Sequence, residues 1–199
     1  MIAVITGDII NSRKKETALW QKELKKTLNQ YGKEPIEWEI YRGDSFQLKL
    51  PSEKALMAAI HFKAAIKQIA KLDVRIGIGL GEQDHKAKKI TESTGSAFVN
   101  SGACFDNLKK QTLAIKTNNE EFNETLNLMM SIATLIMNSW SNTVSEVIIK
   151  TIENPKKNQA EIAALMNKSQ SSISEALKRG GFEEVKQMEQ FYQNKIKNL

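Results

Sequence analysis

The chain has few of the residues that build covalent or soft-metal frameworks. Of its 199 residues one is a cysteine, Cys104, and two are histidines, His61 and His85. A lone cysteine excludes an intramolecular disulfide and a cysteine-based zinc site, and it suits a reducing cytoplasm. His61 falls inside a helical pattern, where a solitary histidine is more often a packing or surface residue than a ligand. Long apolar runs are missing as well. The greasiest stretch, Leu126 to Met137, is too short to span a bilayer. The opening run Ile2-Ala3-Val4-Ile5 is short, has no basic region before it and is broken by Thr6-Gly7-Asp8, which is not the pattern of a signal peptide. No G-x-G-x-x-G opens a helix, so there is no dinucleotide fingerprint. With 41% hydrophobic residues, the chain is expected to be a soluble cytoplasmic protein with one good core and a smaller second one.

The net charge of +6 and pI near 9.3 invite a nucleic-acid partner. The excess is unevenly placed. Residues 1–117 hold 20 Lys and Arg against 13 Asp and Glu, and residues 141–199 hold 9 against 7. Residues 118–140 carry three acidic residues and no basic one. Basic side chains in the front segment could draw in a polyphosphate, although most of them suit an ordinary solvated surface.

Hydrophobic spacing sets out the front segment. Ile2 to Ile5 reads as a strand. Arg13 to Tyr31 reads as a helix, with Leu19-Trp20, Leu24 and Leu28 at helical spacing and Ser12 as its N-cap. Ile36–Tyr41 and Ser45–Leu50 read as a hairpin. A second helix runs from Pro51 to about Lys71, and Leu72–Leu80 is a strand with Val74, Ile76, Ile78 and Leu80 on one face. Its other face carries Arg75, Gly77 and Gly79, and glycines there admit close approach by a helix or ligand. Glu82–Thr94 reads as a mobile loop, Gly95–Lys110 as a third helix and Thr112–Lys116 as a last strand. This order predicts, over residues 1–117, a ferredoxin-like α+β sandwich with an extra unit.

Two carboxylates stand out. Asp8 closes the first apolar run and Asp44 sits at the turn of the hairpin, so both fall at strand ends. Paired hard oxygens of this kind suit Mg2+, which takes one or two carboxylates and completes its shell with substrate phosphates. A helix starting after Ser12 would offer free backbone N–H groups to a phosphate beside Asp8, with Arg13, Lys14 and Lys15 adding charge. The same two aspartates also suit plain local hydrogen bonds at turns.

Residues 118–140 form a helix of another character. Asn123, Asn127, Ser131, Thr134 and Asn138 make one narrow polar stripe, and nearly everything else from Phe122 to Trp140 is apolar. Such a helix is expected to be buried on several sides, either joining two cores or lying in a homodimer interface. Thr143-Val144-Ser145-Glu146 is a capping box for the next helix, which stops before Pro155.

Within residues 141–199, the segment Asn158 to Gly181 resembles the helix-turn-helix of bacterial repressors and sigma factors. Asn158 and Ser169 are N-caps, Ala163 is the small residue at the crossing, and Ile162, Leu165, Ile173 and Leu177 supply core. Asn167 takes the turn position usual for glycine. The resemblance implies DNA contacts from Lys168, Ser169, Gln170, Ser171, Ser174, Lys178 and Arg179, with Gln170, Ser171 and Ser174 toward the major groove and the basic residues on phosphates. A helical hairpin used only for packing would show much of the same pattern.

Four segments, Ile5 to Arg13, Arg42 to Gln47, Val74 to Gly79 and Gly95 to Asn100, occur in the order and spacing of the SatD family, which the chain resembles over most of its length. More distantly they are similar to the palm domain of class III nucleotidyl cyclases. That likeness implies a metal site of Asp8, Asp44 and the Ile9 carbonyl, and nucleotide contacts from Ile10, Asn11, Ser12, Arg13 and Arg42. It also gives Asn100 the place of a catalytic asparagine. The arginine that follows this asparagine in cyclases falls at Cys104. The expectation is therefore a cytoplasmic DNA-binding transcriptional regulator whose palm-like domain binds a nucleoside triphosphate or other nucleotide with Mg2+. The alternative is a nucleotidyl cyclase or nucleotidyltransferase-like enzyme with an accessory helical segment.

Overall fold

A computed structural model describes residues 1–197 and 199. The described residues build a mixed five-stranded sheet and eight α-helices. In the front segment the order is β1 (Ile2–Ile10), α1 (Thr17–Leu28), β2 (Trp38–Tyr41), β3 (Ser45–Pro51), α2 (Ala55–Lys67), β4 (Asp73–Gly81), α3 (Ser96–Asp106) and β5 (Leu113–Lys116). The sheet runs β2-β3-β1-β4-β5, so the first strand is central. It pairs antiparallel with β3 and β4, β2 is antiparallel to β3, and β5 adds parallel to β4.

Side-chain alternation divides the sheet into two faces. Ala3, Ile5 and Ile9 of β1, Phe46, Leu48 and Leu50 of β3, and Val74, Ile76, Ile78 and Leu80 of β4 pack with Trp20, Leu24 and Leu28 of α1 and Leu56, Ile60 and Ile66 of α2. The opposite face of β4 lacks side chains at Gly77 and Gly79, and α3 lies directly on it. A Cβ built on Gly79 would stand 2.1 Å from the Ser101 nitrogen and 2.3 Å from the Ala97 oxygen. The helix can therefore reach the sheet only because that position is glycine. Thr6 and Ser101 join their hydroxyls at 2.7 Å across the same contact.

Several local expectations change. Asn11 adopts the left-handed conformation at φ 63°, and Ser12–Lys14 form a short 3-10 turn instead of the first turn of a helix. The α-helix begins at Thr17, and Ser12 caps nothing. The segment 82–94 is pinned rather than mobile. Ile90 is fully buried, His85 bridges Thr94, and the Thr91 hydroxyl donates to Glu39 at 2.6 Å.

The long helix α4 (Glu120–Asn138) departs most from its sequence pattern. The Asn123 and Asn127 part of its polar stripe faces inward, along the free edge of β5. The Asn123 side chain exchanges two hydrogen bonds with the Thr117 backbone, and the Asn127 side chain does the same with Ile115. An exposed strand edge is a row of unpaired donors and acceptors, and asparagines one helical turn apart satisfy it. Further along, Asn138 accepts from the buried Lys63, whose ammonium also reaches Asp73 at 2.7 Å and Thr112 at 3.0 Å. Phe122, Leu126, Met130, Ala133 and Met137 enter the core, whereas Leu128, Ile132 and Leu135 are 64%, 57% and 73% exposed. Burial on several sides thus holds for only part of the apolar surface.

Four helices follow: α5 (Asn142–Glu153), α6 (Gln159–Leu165), α7 (Gln170–Arg179) and α8 (Phe182–Ile196). Helix α5 packs on α2, and α8 turns back over α4 and the start of α2. There the Tyr192 hydroxyl donates to the Ser52 carbonyl, and the Gln193 amide to that of Glu53. The core residues of sheet and rear helices form one continuous cluster. Among the described residues, no helix is long and apolar enough to cross a membrane.

Candidate functional site

The C-terminal end of β1 and the β2–β3 hairpin come together on the sheet face that carries α3. Sheet register places Asp8 opposite Ser45 on one side and Arg75 on the other. The three-residue turn Arg42-Gly43-Asp44 has positive φ at Arg42 (50°) and Gly43 (87°), a reversal glycine adopts without penalty. It is fastened to β1 by the Ile9 N–H, which donates to the Asp44 carbonyl at 3.2 Å. The Ser12 hydroxyl donates to Asp44 Oδ2 at 2.6 Å, and Asn11 ties the following turn to the Lys71 carbonyl at 3.2 Å.

These elements enclose an open cavity of about 510 Å³ lined by residues 8–14, Asp44 and Arg75. It brings together the predicted Asp8, Ile9, Ile10, Asn11, Ser12, Arg13 and Asp44. Arg42 is exposed and does not line it. Nor does Asn100. Its side chain donates to the Leu80 carbonyl at 2.8 Å, five residues along β4 from Arg75, or roughly 17 Å at the usual strand rise. Asn100 is 6% exposed and serves the junction of α3 with β4.

Arg75 is the site residue that sequence reasoning passed over. Its guanidinium forks onto Asp8, with Nε on Oδ1 at 2.9 Å and Nη2 on Oδ2 at 2.5 Å. It also rests 5.4 Å from the centre of the Phe105 ring. The Asp8 hydrogen bond raises its already high pKa, burial opposes this, and the charges of Asp8 and Asp44 add to the rise. The cavity wall then carries two carboxylates against Arg13, Lys14 and Arg75, and so has a small positive excess. A signal was available: Arg75 is the one large side chain on a glycine-rich strand face.

Among the described residues no group of three or more His, Cys, Asp or Glu could hold a metal. The donor set at the cavity is therefore Asp8, Asp44 and the backbone of Ile9. Two carboxylates fit a cation that draws the rest of its oxygens from water and phosphate. They do not fit one that needs a full protein cage.

In the rear segment, Asn158 and Glu161 form a reciprocal capping box at α6, and Ser169 caps α7 through the Ser172 N–H. Between them Asn167 adopts φ 51°, as its turn position requires. Ile162, Ala163, Ile173 and Ala176 are buried at the crossing. Leu177 is partly buried against the core, while Leu165 is 53% exposed. Ser169, Gln170, Ser171, Ser174, Lys178 and Arg179 all face solvent. Lys168 is partly covered and lies 3.7 Å from Glu146, and Arg179 lies 4.0 Å from Glu175. The Trp140 indole donates to the Gly180 carbonyl at 2.7 Å and so fixes the end of α7.

No curated protein and no solved structure matches the chain. A family model does, the SatD family model, over residues 1–187. With most of its length matched, the chain belongs to the SatD family.

Proposed function

We propose that the chain is a cytoplasmic DNA-binding regulator whose front unit binds a nucleotide together with a divalent cation. The front unit is assigned to the ferredoxin-like, palm-type class. The antiparallel order β2-β3-β1-β4, with helices after β1 and β3, supports this, β5 being an addition. The observation that carries the site is the convergence of Asp8 and Asp44, from two different strand ends, on one cavity walled by Arg13, Lys14 and Arg75. Asp8 and Asp44 would hold a divalent cation, whose charge would offset theirs, while the three basic residues would hold phosphate charge.

The regulator reading rests on the solvent-facing row Gln170, Ser171, Ser174 and Lys178, presented by a helix whose start is capped and whose end is fixed. A second copy is assigned to the exposed stripe Leu128, Ile132 and Leu135, which repeats at helical spacing and is uncharged. Cys104 packs with Leu108 and Ala114, and burial pushes its thiol up to about 11, which leaves it inert. A buried thiol at this position does not itself supply the positive charge of the cyclase arginine.

Calorimetric titration with ATP or GTP and Mg2+ tests the site. Binding is expected for the wild type and is lost in Asp8→Asn and Asp44→Asn. Unchanged titrations in both variants would remove the metal site.

A further inference from the structure

Both oxygens of Asp8 already accept a hydrogen bond. Arg75 takes both through a bidentate fork, the geometry in which this side chain binds a carboxylate most firmly. A divalent cation on Asp8 would have to share one carboxylate with a guanidinium that lies within hydrogen-bonding distance of it. Like charges so close repel strongly in a partly desolvated site. Arg75 also has somewhere to go. It is 38% exposed, it spends two of its five N–H donors on Asp8, and Phe105 gives its flat face a surface to slide on. Resting on the nucleotide-binding reading above, we propose that Arg75 is the resident cation of the site. It holds Asp8 until a metal arrives, then turns to the polyphosphate that the metal brings.

The charges on the cavity wall require the two ligands to enter together. The wall holds Asp8 and Asp44 against Arg13, Lys14 and Arg75. A divalent cation alone would raise its positive excess and leave Arg75 unpaired. A polyphosphate alone would meet Asp8 and Asp44 without a bridge. The pair together satisfies every group, so the site selects the metal-bound polyphosphate over either component.

Two titrations of the full-length protein test this, one with Mn2+ alone and one with inorganic tripolyphosphate in the presence of Mn2+. Arg75→Ala is expected to bind free Mn2+ about tenfold more tightly than wild type and Mn2+–tripolyphosphate at least tenfold more weakly. Arg75→Lys, which keeps the charge without the fork, shows the same opposite signs at smaller size and serves if the alanine variant does not fold. Effects of one sign in both titrations, or none, overturn the exchange while leaving the binding site standing. A wild type that binds no Mn2+–tripolyphosphate overturns the site and the exchange together.

Discussion

Asn127 and Ile115 are paired as two strand residues would be, although one is a side chain on a helix. The Asn127 amide donates to the Ile115 carbonyl at 2.9 Å, and its oxygen accepts from the Ile115 N–H at 2.8 Å. Asn123 repeats the arrangement at Thr117. Helix α4 therefore ends the sheet.

Asn127→Leu should expose that dependence. It leaves two strand-edge groups unpaired beneath an apolar side chain, a loss of about 2–4 kcal/mol. Urea unfolding of this variant, set beside Ser131→Ala as a surface control, checks it. A loss below about 0.5 kcal/mol would mean that water replaces the asparagine without cost.

His61 should make stability fall in mild acid. It is 1% exposed, and burial lowers its pKa to about 4 from 6.5, with Glu153 opposing the shift and Lys26 adding to it. Between those values the unfolded chain takes up a proton that the folded chain does not. The stabilising contribution is therefore complete above pH 6.5 and is lost as pH falls toward about 4. The full loss is about 3 kcal/mol. Unfolding free energies at pH 7 and pH 5 should differ less in His61→Gln than in wild type. An identical difference would place the acid sensitivity in the carboxylates.

Lys178 should contact DNA more than Lys168 does. Lys178 is free in solvent, whereas Lys168 is drawn toward Glu146. On duplex DNA, Lys178→Ala is expected to weaken binding to every sequence alike and lower the salt slope by about 0.9. Lys168→Ala should lower it less. Failure of the wild-type protein to shift any genomic fragment would end the regulator reading.

Leu135→Glu tests the pairing of two copies. Leu135 is 73% exposed, so the change should cost the fold at most about 0.5 kcal/mol. Light scattering is expected to show a dimer for the wild type and a monomer for the variant. A monomeric wild type would leave the stripe without the occupant assigned to it.

Asp8 and Asp44 could be brought together from sequence because each falls near a strand end and the likeness to palm domains sets those two strand ends side by side. Arg75 could not be joined to them. Its place opposite Asp8 depends on the register of β1 with β4, and a slip of one residue would turn it to the other face. The α4 stripe was visible as a pattern, but not the direction in which it faces. Periodicity separates polar from apolar sides, but it does not say that the polar side meets a strand edge while Leu128, Ile132 and Leu135 meet water. Ser12 is expected to cap a helix, and it lies against Asp44 instead. Its hydroxyl binds that carboxylate, and the left-handed Asn11 keeps it out of any helix. Leu165 matched a core position of the helix-turn-helix by spacing, but α6 ends at that residue and leaves it exposed.

The contact between Tyr192 and Ser52 has a mechanical meaning. It lies 140 residues apart in sequence, and with the Trp140–Gly180 bond it fastens the rear helices at two separate places. Those helices are splinted to the sheet. A change at the β1 end of the molecule would therefore reach α7 as a small shift or a gain in stiffness passed through packed side chains, because the sheet and the rear helices share one continuous core.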